Sequence, residues 1–385
     1  MASGLQDVVI VEAVRTPIGR RDGSLRDVRP DELAAHVLKE LVRRAEVDPA
    51  SVEDVILGCV AQVGEQGANV ARLAALEAGF PIEVPGISLD RMCGSGQQAV
   101  HFAAQAIASG QMDVVIAGGV ESMTRVPLGS DFPATFSPSL SEREVSLNQG
   151  ISADLIADRW ELDREALDRF AHESHLRAGR AAREGRFAAQ IAPVEVTASD
   201  GERVFFERDE GVRAEPSLER MAALTPAFTP EGRTTAGNSS QISDGAGALL
   251  LMSRQKAREL GLRPRARLLA AAVVGSDTQL MLTGPIPATR KVLERAGMSL
   301  DDVDVVEINE AFASVVLAWA REYEPYMERV NPNGGAIAMG HPLGATGAIL
   351  MTKLLHELER TDQAVGLQTM CIGFGMATAT ILERE

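Results

Sequence analysis

The sequence predicts an α/β protein that consists of two similar halves with a subdomain inserted between them. Short apolar strands alternate with helical patterns over the first 120 residues, and the same alternation returns over residues 253–385 of the 385-residue chain. Such alternation is typical of a largely parallel sheet whose two faces are covered by helices. Residues 121–243 break the alternation and are too long for a simple loop, so they are predicted to fold as an inserted subdomain.

The first half is predicted to contain four strands and three helices. The strands are predicted at residues 8–11, 54–60, 86–89 and 113–117, and the helices at residues 30–45, 69–79 and 94–109. A further strand near residues 244–252 is predicted to complete this half after the insertion.

The second half repeats the pattern, and the insertion contains one long charged helix. Strands are predicted at residues 266–274, 304–308, 363–370 and 376–383, and helices at residues 164–184, 287–296, 310–321 and 345–359. Because each half contains a strand that ends in a glycine-rich turn bearing a reactive side chain, we expect the two halves to face each other.

Composition excludes several classes of protein. A net charge of −16 disfavours nucleic-acid and anionic-membrane surfaces, and no apolar run reaches the roughly 20 residues of a membrane span. The segment Met1 to Asp7 lacks a charged region before an apolar stretch, so a cytoplasmic protein is predicted. Three cysteines without ligand spacing predict neither a disulfide framework nor a metal site.

Cys93 is the first candidate for chemistry, since it lies between a predicted strand and a predicted helix in the motif Met92-Cys93-Gly94-Ser95-Gly96. A thiol at a helix N-terminus is expected to have a lowered pKa and to act as a nucleophile. Gly94 and Gly96 are expected to leave room for an acyl group, and the Cys93 N–H is expected to face an oxyanion. The alternative is a buried, inert cysteine, which is the interpretation favoured for Cys59.

His341 and Cys371 are the next candidates, because each is embedded in glycine, at Gly340-His341-Pro342 and at Cys371-Ile372-Gly373-Phe374-Gly375. A histidine on a constrained turn is suited to activating a thiol. A second thiol opposite the first suits carbon–carbon chemistry beside a thioester, since one sulfur can hold the acyl group while the other moves a proton. Together with Cys93, these residues predict one acyl-transfer site.

Three further residues have two interpretations each. Asn309 ends a predicted strand and begins a predicted helix, so it serves either as an N-cap or as a holder of water or a carbonyl. Arg213 and Arg220, near the end of the insertion, serve either as contacts for a diphosphate or as solvated surface charge.

With these motifs, the chain resembles the thiolases, the acetyl-CoA C-acyltransferases, over nearly its whole length. Seven motifs carry the resemblance in the order of the family: Val9 to Gly19, Met92 to Gly96, Gly118 to Met123, Gly237 to Ser240, Asn309 to Ala313, Gly334 to Gly347 and Cys371 to Gly375. The resemblance implies a layered α/β/α/β/α fold in which the insertion covers coenzyme A (CoA).

The resemblance also implies roles for individual residues. Cys93 would accept the acyl group, Cys371 would be the acid/base at the acetyl carbon, and His341 would activate Cys93. His341 and a water held by Asn309 would bind the enolate oxygen, while the N–H groups of Cys93 and Gly373 would form a second oxyanion hole. The positions that match the family's CoA contacts are Ser240, Arg213, Phe228, Met281 and Phe312.

The implied reaction is a two-step ping-pong cleavage of 3-oxoacyl-CoA, with CoA as co-substrate and no permanently bound cofactor. Three residues depart from the common family pattern, namely Asp90, Gln241 and Phe374, and the last two are expected to reshape the acyl pocket. Residues 124–148 are shorter than the tetramer-forming extension of short-chain biosynthetic thiolases. A degradative enzyme for longer or bulkier acyl chains is therefore predicted, as a homodimer or a dimer of dimers, with biosynthetic acetoacetyl-CoA formation as the alternative.

Other functions fit the sequence less well. A decarboxylating ketoacyl synthase would be expected to use two histidines with one cysteine, and a hydroxymethylglutaryl-CoA-type synthase would use a glutamate as base. A catalytically inactive relative that binds lipid or CoA would not be expected to keep Cys93, Asn309, His341 and Cys371 together.

Overall fold

The fold is an α/β assembly of two halves joined through one extended sheet. A computed structural model describes residues 5–143, 145–198 and 200–385, so the predicted start at residues 1–4 lies outside the described part of the chain. In the described part, no helix has both the length and the apolar character needed to cross a membrane.

From residue 5 onward, the first half contains six strands and three α-helices. They are β1 (Val8–Arg15), β2 (Gly19–Arg20), α1 (Pro30–Ala45), β3 (Asp54–Gly58), α2 (Val70–Glu77), β4 (Gly86–Leu89), α3 (Ser95–Ala108), β5 (Val114–Ser122) and, after the insertion, β8 (Ser243–Ser253). The strand order is β1-β8-β5-β3-β4, with β2 paired to β8.

In the described residues, the insertion between β5 and β8 contains four helices and two short strands. Its elements are α4 (Pro138–Glu142), α5 (Gln149–Arg159), α6 (Arg164–Arg183), β6 (Val194–Thr197), β7 (Arg203–Phe206) and α7 (Leu218–Ala222). The predicted long helix is α6, which begins with Asp163 as its N-cap and buries one face. Strands β6 and β7 form a separate antiparallel hairpin that the sequence pattern did not predict.

The second half repeats the order of the first. Its elements are α8 (Arg254–Glu259), β9 (Ala266–Gly275), α9 (Pro285–Ala296), β10 (Val305–Ile308), α10 (Ala313–Tyr323), α11 (Ala336–Met339), α12 (Leu343–Thr361), β11 (Val365–Ile372) and β12 (Met376–Arg384). Short 3₁₀ turns connect several of these elements in both halves, at Pro49–Ser51, Gly64–Gln66, Leu300–Asp302 and Met327–Arg329.

The two halves have the same strand arrangement. The order β9-β12-β11-β10 in the second half corresponds to β1-β8-β5-β3 in the first. The halves meet where β1 pairs with β9, at Val9↔Arg267 and Ile10↔Ala266. In this correspondence α12, which precedes β11, is the counterpart of α3, which precedes β5.

The predicted α/β fold with two similar halves is confirmed, and its cores show the layers. One core lies between α1, α2 and the first sheet. A second core joins α3 and α12 to strands of both halves, and a third lies between α9, α10 and the second sheet. Helices α3 and α12 are therefore the middle layer of an α/β/α/β/α stack.

The prediction of a largely parallel sheet is wrong. Only β3–β4, β3–β5 and β10–β11 are parallel among the described strand pairs, whereas β1–β8, β5–β8, β9–β12 and β11–β12 are antiparallel. The physical reason is that β12 follows β11 through a tight turn, which reverses the chain. The chain likewise returns from the insertion into β8 in the opposite direction to its two neighbours.

Candidate active site

The site lies where the ends of the two middle helices meet the end of β11. Cys93 lies two residues before α3, His341 lies two residues before α12, and Cys371 is the second-last residue of β11. The repeated architecture thus places a reactive turn at the N-terminus of each central helix. All three side chains are buried, at 2%, 4% and 0% exposure for Cys93, His341 and Cys371.

Gly94 and Gly96 allow these segments to approach one another. A Cβ on Gly94 would collide with Ile372 Cδ1, and a Cβ on Gly96 would lie 2.7 Å from the carbonyl oxygen of Gly344. These two glycines therefore serve close packing of backbone segments, whereas the sequence led us to expect that they leave room for an acyl group. They allow α3 to meet both β11 and the first turn of α12.

Cys93 is a neutral thiol at rest. The backbone N–H groups of Gly373 and of Cys93 itself lie near the sulfur and favour the thiolate. Burial acts in the other direction and is stronger, so the pKa of Cys93 is raised to about 12. The expected lowering of this pKa by the helix N-terminus is therefore not observed, and ionisation requires a base.

Cys371 lies beside Cys93 and is also a neutral thiol. Burial raises the pKa of Cys371, and the neighbouring Cys93 raises it further. The N–H of Ala311 and the side chain of Asn309 bond to the Cys371 sulfur and act in the opposite direction. The two thiols are thus held by different donors within one buried site.

His341 is held as one tautomer. The Thr346 hydroxyl donates to the carbonyl oxygen of Pro342 at 2.8 Å, so it accepts a hydrogen bond from His341 Nδ1 at 2.7 Å. The proton therefore resides on Nδ1, and Nε2 is a free base that faces Asn309 Nδ2 at 3.3 Å. Burial lowers the pKa of His341 to about 4, which keeps the ring neutral at physiological pH.

Asn309 connects the histidine to the second thiol. Helix α10 begins at Ala313 with Phe312 as its N-cap, so the N-cap interpretation of Asn309 is wrong. Instead, the Asn309 side chain bonds to His341 and to the sulfur of Cys371. Its Oδ1 is buried without a partner among the described residues, and such an atom is normally satisfied by water or ligand.

Three of the residues predicted to contact CoA lie in or against the apolar cluster that contains Cys371. Met281 and Phe312 are buried in the same apolar cluster as Cys371. The Phe228 ring packs edge-on against Phe312, with centroids 5.9 Å apart, and is 39% exposed. The half-buried Ser240 lies on the adjoining segment, where its N–H donates to the carbonyl oxygen of Ala311 at 2.9 Å.

Arg213 lies farther out, in the inserted subdomain. Together with Arg220 it lines a cleft of about 160 Å³ that also contains His175 and Gly237. The backbone N–H of Arg213 donates to His175 Nδ1 at 3.2 Å, which fixes this segment against α6. The two arginines that the sequence singled out thus share one concave site.

Sequence reasoning missed the residues that hold the histidine in place. Thr346 gives the only direct contact to Nδ1 among the described residues, and its spacing of five residues across a helix start is a signal that was available. The His341 N–H donates to the Gln241 carbonyl oxygen at 3.1 Å. Gln241 Nε2 also donates to the carbonyl oxygens of Ile337 and Ala338, so Gln241 braces this turn rather than the acyl pocket.

Glu121 is a second missed residue, and it anchors the start of α12. Its carboxylate accepts from the Gly344 N–H at 2.8 Å and from the Val60 N–H at 2.9 Å. The first turn of α12 is thereby tied to the segment after β3, next to His341. A buried glutamate in an otherwise apolar strand is the signal that could have identified it.

Family models match almost the whole chain. The model for the thiolase N-terminal domain matches residues 8–255, and the model for the thiolase C-terminal domain matches residues 262–384.

Individual relatives match over their full length. The steroid 3-ketoacyl-CoA thiolase FadA6 of Mycobacterium tuberculosis is 47% identical over 392 residues, which cover 99% of this chain and 95% of that protein. The 3-ketoacyl-CoA thiolase of Idiomarina loihiensis is 46% identical, with 99% of this chain and 100% of that protein covered. The crystal structure of the Bacillus anthracis acetyl-CoA acetyltransferase superposes with a TM-score of 0.92 at 40% identity, covering 100% of both chains.

Proposed function

The chain belongs to the thiolase family, and from this membership and the geometry of the site we propose that it cleaves 3-oxoacyl-CoA with CoA. The products are acetyl-CoA and an acyl-CoA shortened by two carbons, so the enzyme is an acyltransferase. The observation that supports this most strongly is the pair of buried thiols beside one neutral histidine. The Gly373 N–H binds the first sulfur, and the Asn309 side chain binds the second.

The first step transfers the acyl group to Cys93. His341 Nε2 takes the Cys93 proton, and the sulfur attacks the 3-keto carbon to form a tetrahedral oxyanion. The N–H groups of Cys93 and Gly373, which lie near the sulfur at rest, are proposed to bind this oxyanion. Since Thr346 fixes the proton on Nδ1, Nε2 is ready to accept without a change of tautomer.

The second event breaks the carbon–carbon bond. The electron pair of the bond between carbons 2 and 3 moves to carbon 2, which gives the enolate of acetyl-CoA and an acyl-Cys93 thioester. Cys371 then donates its proton to carbon 2, which a buried neutral thiol can do without prior ionisation. The protonated His341 and a water held by Asn309 stabilise the enolate oxygen meanwhile.

The third event releases the shortened acyl-CoA. Free CoA gives its thiol proton to the Cys371 thiolate and attacks the acyl-Cys93 carbonyl carbon. Cys93 leaves as a thiolate and recovers its proton from His341, which restores all three groups. Run in reverse, the same steps join two acyl-CoA molecules.

CoA is proposed to lie along the inserted subdomain, with no permanently bound cofactor. Phe228, Phe312, Met281 and Ser240 line the route from Cys371 and suit the pantetheine arm. The cleft of Arg213 and Arg220 suits the phosphorylated nucleotide end, because guanidinium groups bind phosphate bidentately. The insertion thereby supplies local positive charge in a protein whose net charge is −16.

The physiological direction is proposed to be degradative. The relatives from Mycobacterium tuberculosis and Idiomarina loihiensis are named for cleavage substrates of the 3-ketoacyl-CoA class. The alternative, synthesis of acetoacetyl-CoA, is favoured by the 40% identical Bacillus anthracis acetyl-CoA acetyltransferase. A kcat/KM series over 3-oxoacyl chain length separates the two, since a biosynthetic enzyme is expected to prefer the four-carbon substrate.

A homodimer, or a dimer of two such dimers, in the cytoplasm is proposed. Strand β4 is at the edge of the sheet and pairs only with β3 among the described strands. Its Ile87 is 50% exposed, and Leu76 of α2, the helix that packs on β4, is 41% exposed. An edge strand with exposed apolar residues suits pairing with a second copy of the chain.

The activity is tested with purified protein, acetoacetyl-CoA or a longer 3-oxoacyl-CoA, and CoA. We expect acetyl-CoA to form in the wild type and turnover to vanish in Cys93→Ala. The matched control is Cys59→Ala, since Cys59 is equally buried but lies in the segment after β3, beside Glu121. Unchanged turnover in Cys93→Ala would refute the assignment of the nucleophile.

A further inference from the structure

Three phenylalanine rings form a cluster above the turn that carries Cys371. The Phe374 ring lies 6.4 Å from that of Phe132 and 6.3 Å from that of Phe136, and Phe132 and Phe136 are 5.8 Å apart, centroid to centroid. Phe374 belongs to the turn between β11 and β12, whereas the other two belong to the segment between β5 and α4. The cluster therefore joins the inserted subdomain to the catalytic turn.

The backbone at Phe374 is strained, which indicates that its ring has a use. Phe374 has φ of +64°, in the left-handed region that glycine occupies without cost. A bulky residue held there is strained, so such an outlier is a reason to look for function. This conformation brings the Phe374 ring into contact with the rings of Phe132 and Phe136.

Phe374 directly follows Gly373, the residue whose N–H lies beside the acyl-accepting sulfur of Cys93. A Cβ on Gly373 would lie 3.7 Å from Met92 Cγ, so this turn packs directly against the nucleophile segment. The ring cluster thus adjoins the turn that packs against the nucleophile segment, and Gln149 Nε2 is the atom nearest to a Cβ on Gly373, at 3.2 Å.

The ring cluster is open on its outer side. Phe132 is 41% exposed, and Phe136 and Phe374 are half-buried. The segment is anchored at both ends, by the Val126 N–H to the Ser122 carbonyl oxygen at 2.9 Å and by the Ser146 N–H to the Thr278 carbonyl oxygen at 3.1 Å. A fixed apolar surface that is only partly covered is suited to binding an apolar ligand segment.

We propose that Phe374, Phe132 and Phe136 form the wall that binds the acyl tail, and that this wall selects 3-oxoacyl-CoA substrates with apolar tails longer than that of acetoacetyl-CoA. The inference rests on the proposed function and names its substrate class. Each methylene group that the wall removes from water is expected to raise kcat/KM by about fourfold. A four-carbon substrate ends before the wall and does not gain from it.

The test is a series of acetoacetyl-, 3-oxohexanoyl-, 3-oxooctanoyl- and 3-oxodecanoyl-CoA with the wild type, Phe374→Gly and Phe132→Ala. We expect the ratio of kcat/KM between the decanoyl and acetoacetyl substrates to fall by about tenfold or more in both variants. Phe374→Gly is expected to fold, because glycine suits the positive φ. Phe205→Ala, at a 69% exposed ring in β7, is the matched control and is expected to keep the ratio.

A binding measurement in the Cys93→Ala background removes the dependence on turnover. Decanoyl-CoA is expected to bind more tightly than butyryl-CoA by calorimetry, and adding Phe374→Gly is expected to abolish the difference. A wild-type ratio in Phe374→Gly, or an equal loss for every chain length, would overturn the inference and leave the proposed function intact. Failure of the wild type to cleave any 3-oxoacyl-CoA would instead overturn the proposed function, and the inference with it.

Discussion

The chemistry of the site depends on small contacts around His341. His341 Nδ1 donates its proton to the Thr346 hydroxyl, which donates its own proton to the Pro342 carbonyl oxygen. Nε2 is therefore unprotonated at neutral pH. Burial keeps both the imidazole and the Cys93 thiol neutral. Transfer of the Cys93 proton to His341 is therefore unfavourable in the resting site, where both groups are neutral.

Replacement of Thr346 by valine tests this contact. Valine keeps the shape but leaves the Nδ1–H without an acceptor, which costs about 1–3 kcal/mol and frees the other tautomer. We expect kcat/KM to fall by about tenfold or more in Thr346→Val and to be retained in Thr346→Ser, measured with acetoacetyl-CoA across pH 6 to 9. Equal activity of the two variants would show that the hydroxyl does not set the tautomer.

At the scale of secondary-structure elements, a buried ion pair between α12 and β10 holds the turn that leads to His341. Lys353 of α12 donates to Glu307 of β10 at 2.9 Å and to the carbonyl oxygen of Gly334 at 2.8 Å. Both side chains are at most 1% exposed. Burial raises the pKa of Glu307 to about 7, although Lys353 acts in the opposite direction. The pair therefore positions the loop at a considerable cost of desolvation.

Loss of Lys353 alone is expected to be more harmful than loss of the pair. Lys353→Met leaves the Glu307 carboxyl group buried without its charge partner and donor, which is expected to cost about 3–5 kcal/mol of unfolding free energy. Lys353→Met combined with Glu307→Leu removes both charges and is expected to recover most of that loss. Urea unfolding measures both, and a double variant as unstable as the single one would contradict this account.

Elements whose signal is local were predicted well, and elements defined by distant partners were not. Helix α1 was predicted at its observed bounds because Pro30 starts it and its apolar face repeats cleanly. Helix α10 is predicted to begin at residue 310, but residues 309–312 are not helical, and Phe312 forms a bridge with Ser239 of another segment. Strand β5 continues to Ser122 because β8 pairs with it throughout, which no local pattern reveals.

The assembled molecule explains why the site is made from both halves. The equivalent helices α3 and α12 pack against each other in the middle layer, so the turns before them, with Cys93 and His341, come together. The glycine-rich motifs allowed Cys93, His341 and Cys371 to be chosen from the sequence. Glu121 and Gln241 could not be assigned, because their partners around the start of α12 become visible only in the folded chain. Thr346 was missed although its partners Pro342 and His341 are close in sequence.

The central claim is a division of labour between two sulfurs, one from each half, and mass spectrometry with acetyl-CoA tests it most directly. Wild type and Cys371→Ala are expected to gain one acetyl group on Cys93, and Cys93→Ala none. Cleavage of acetoacetyl-CoA is expected to fall by about a hundredfold to ten-thousandfold in Cys371→Ala, because the proton donor at carbon 2 and the group that accepts the CoA proton are both lost. Failure of Cys371→Ala to become acetylated, or normal cleavage by it, would contradict the account.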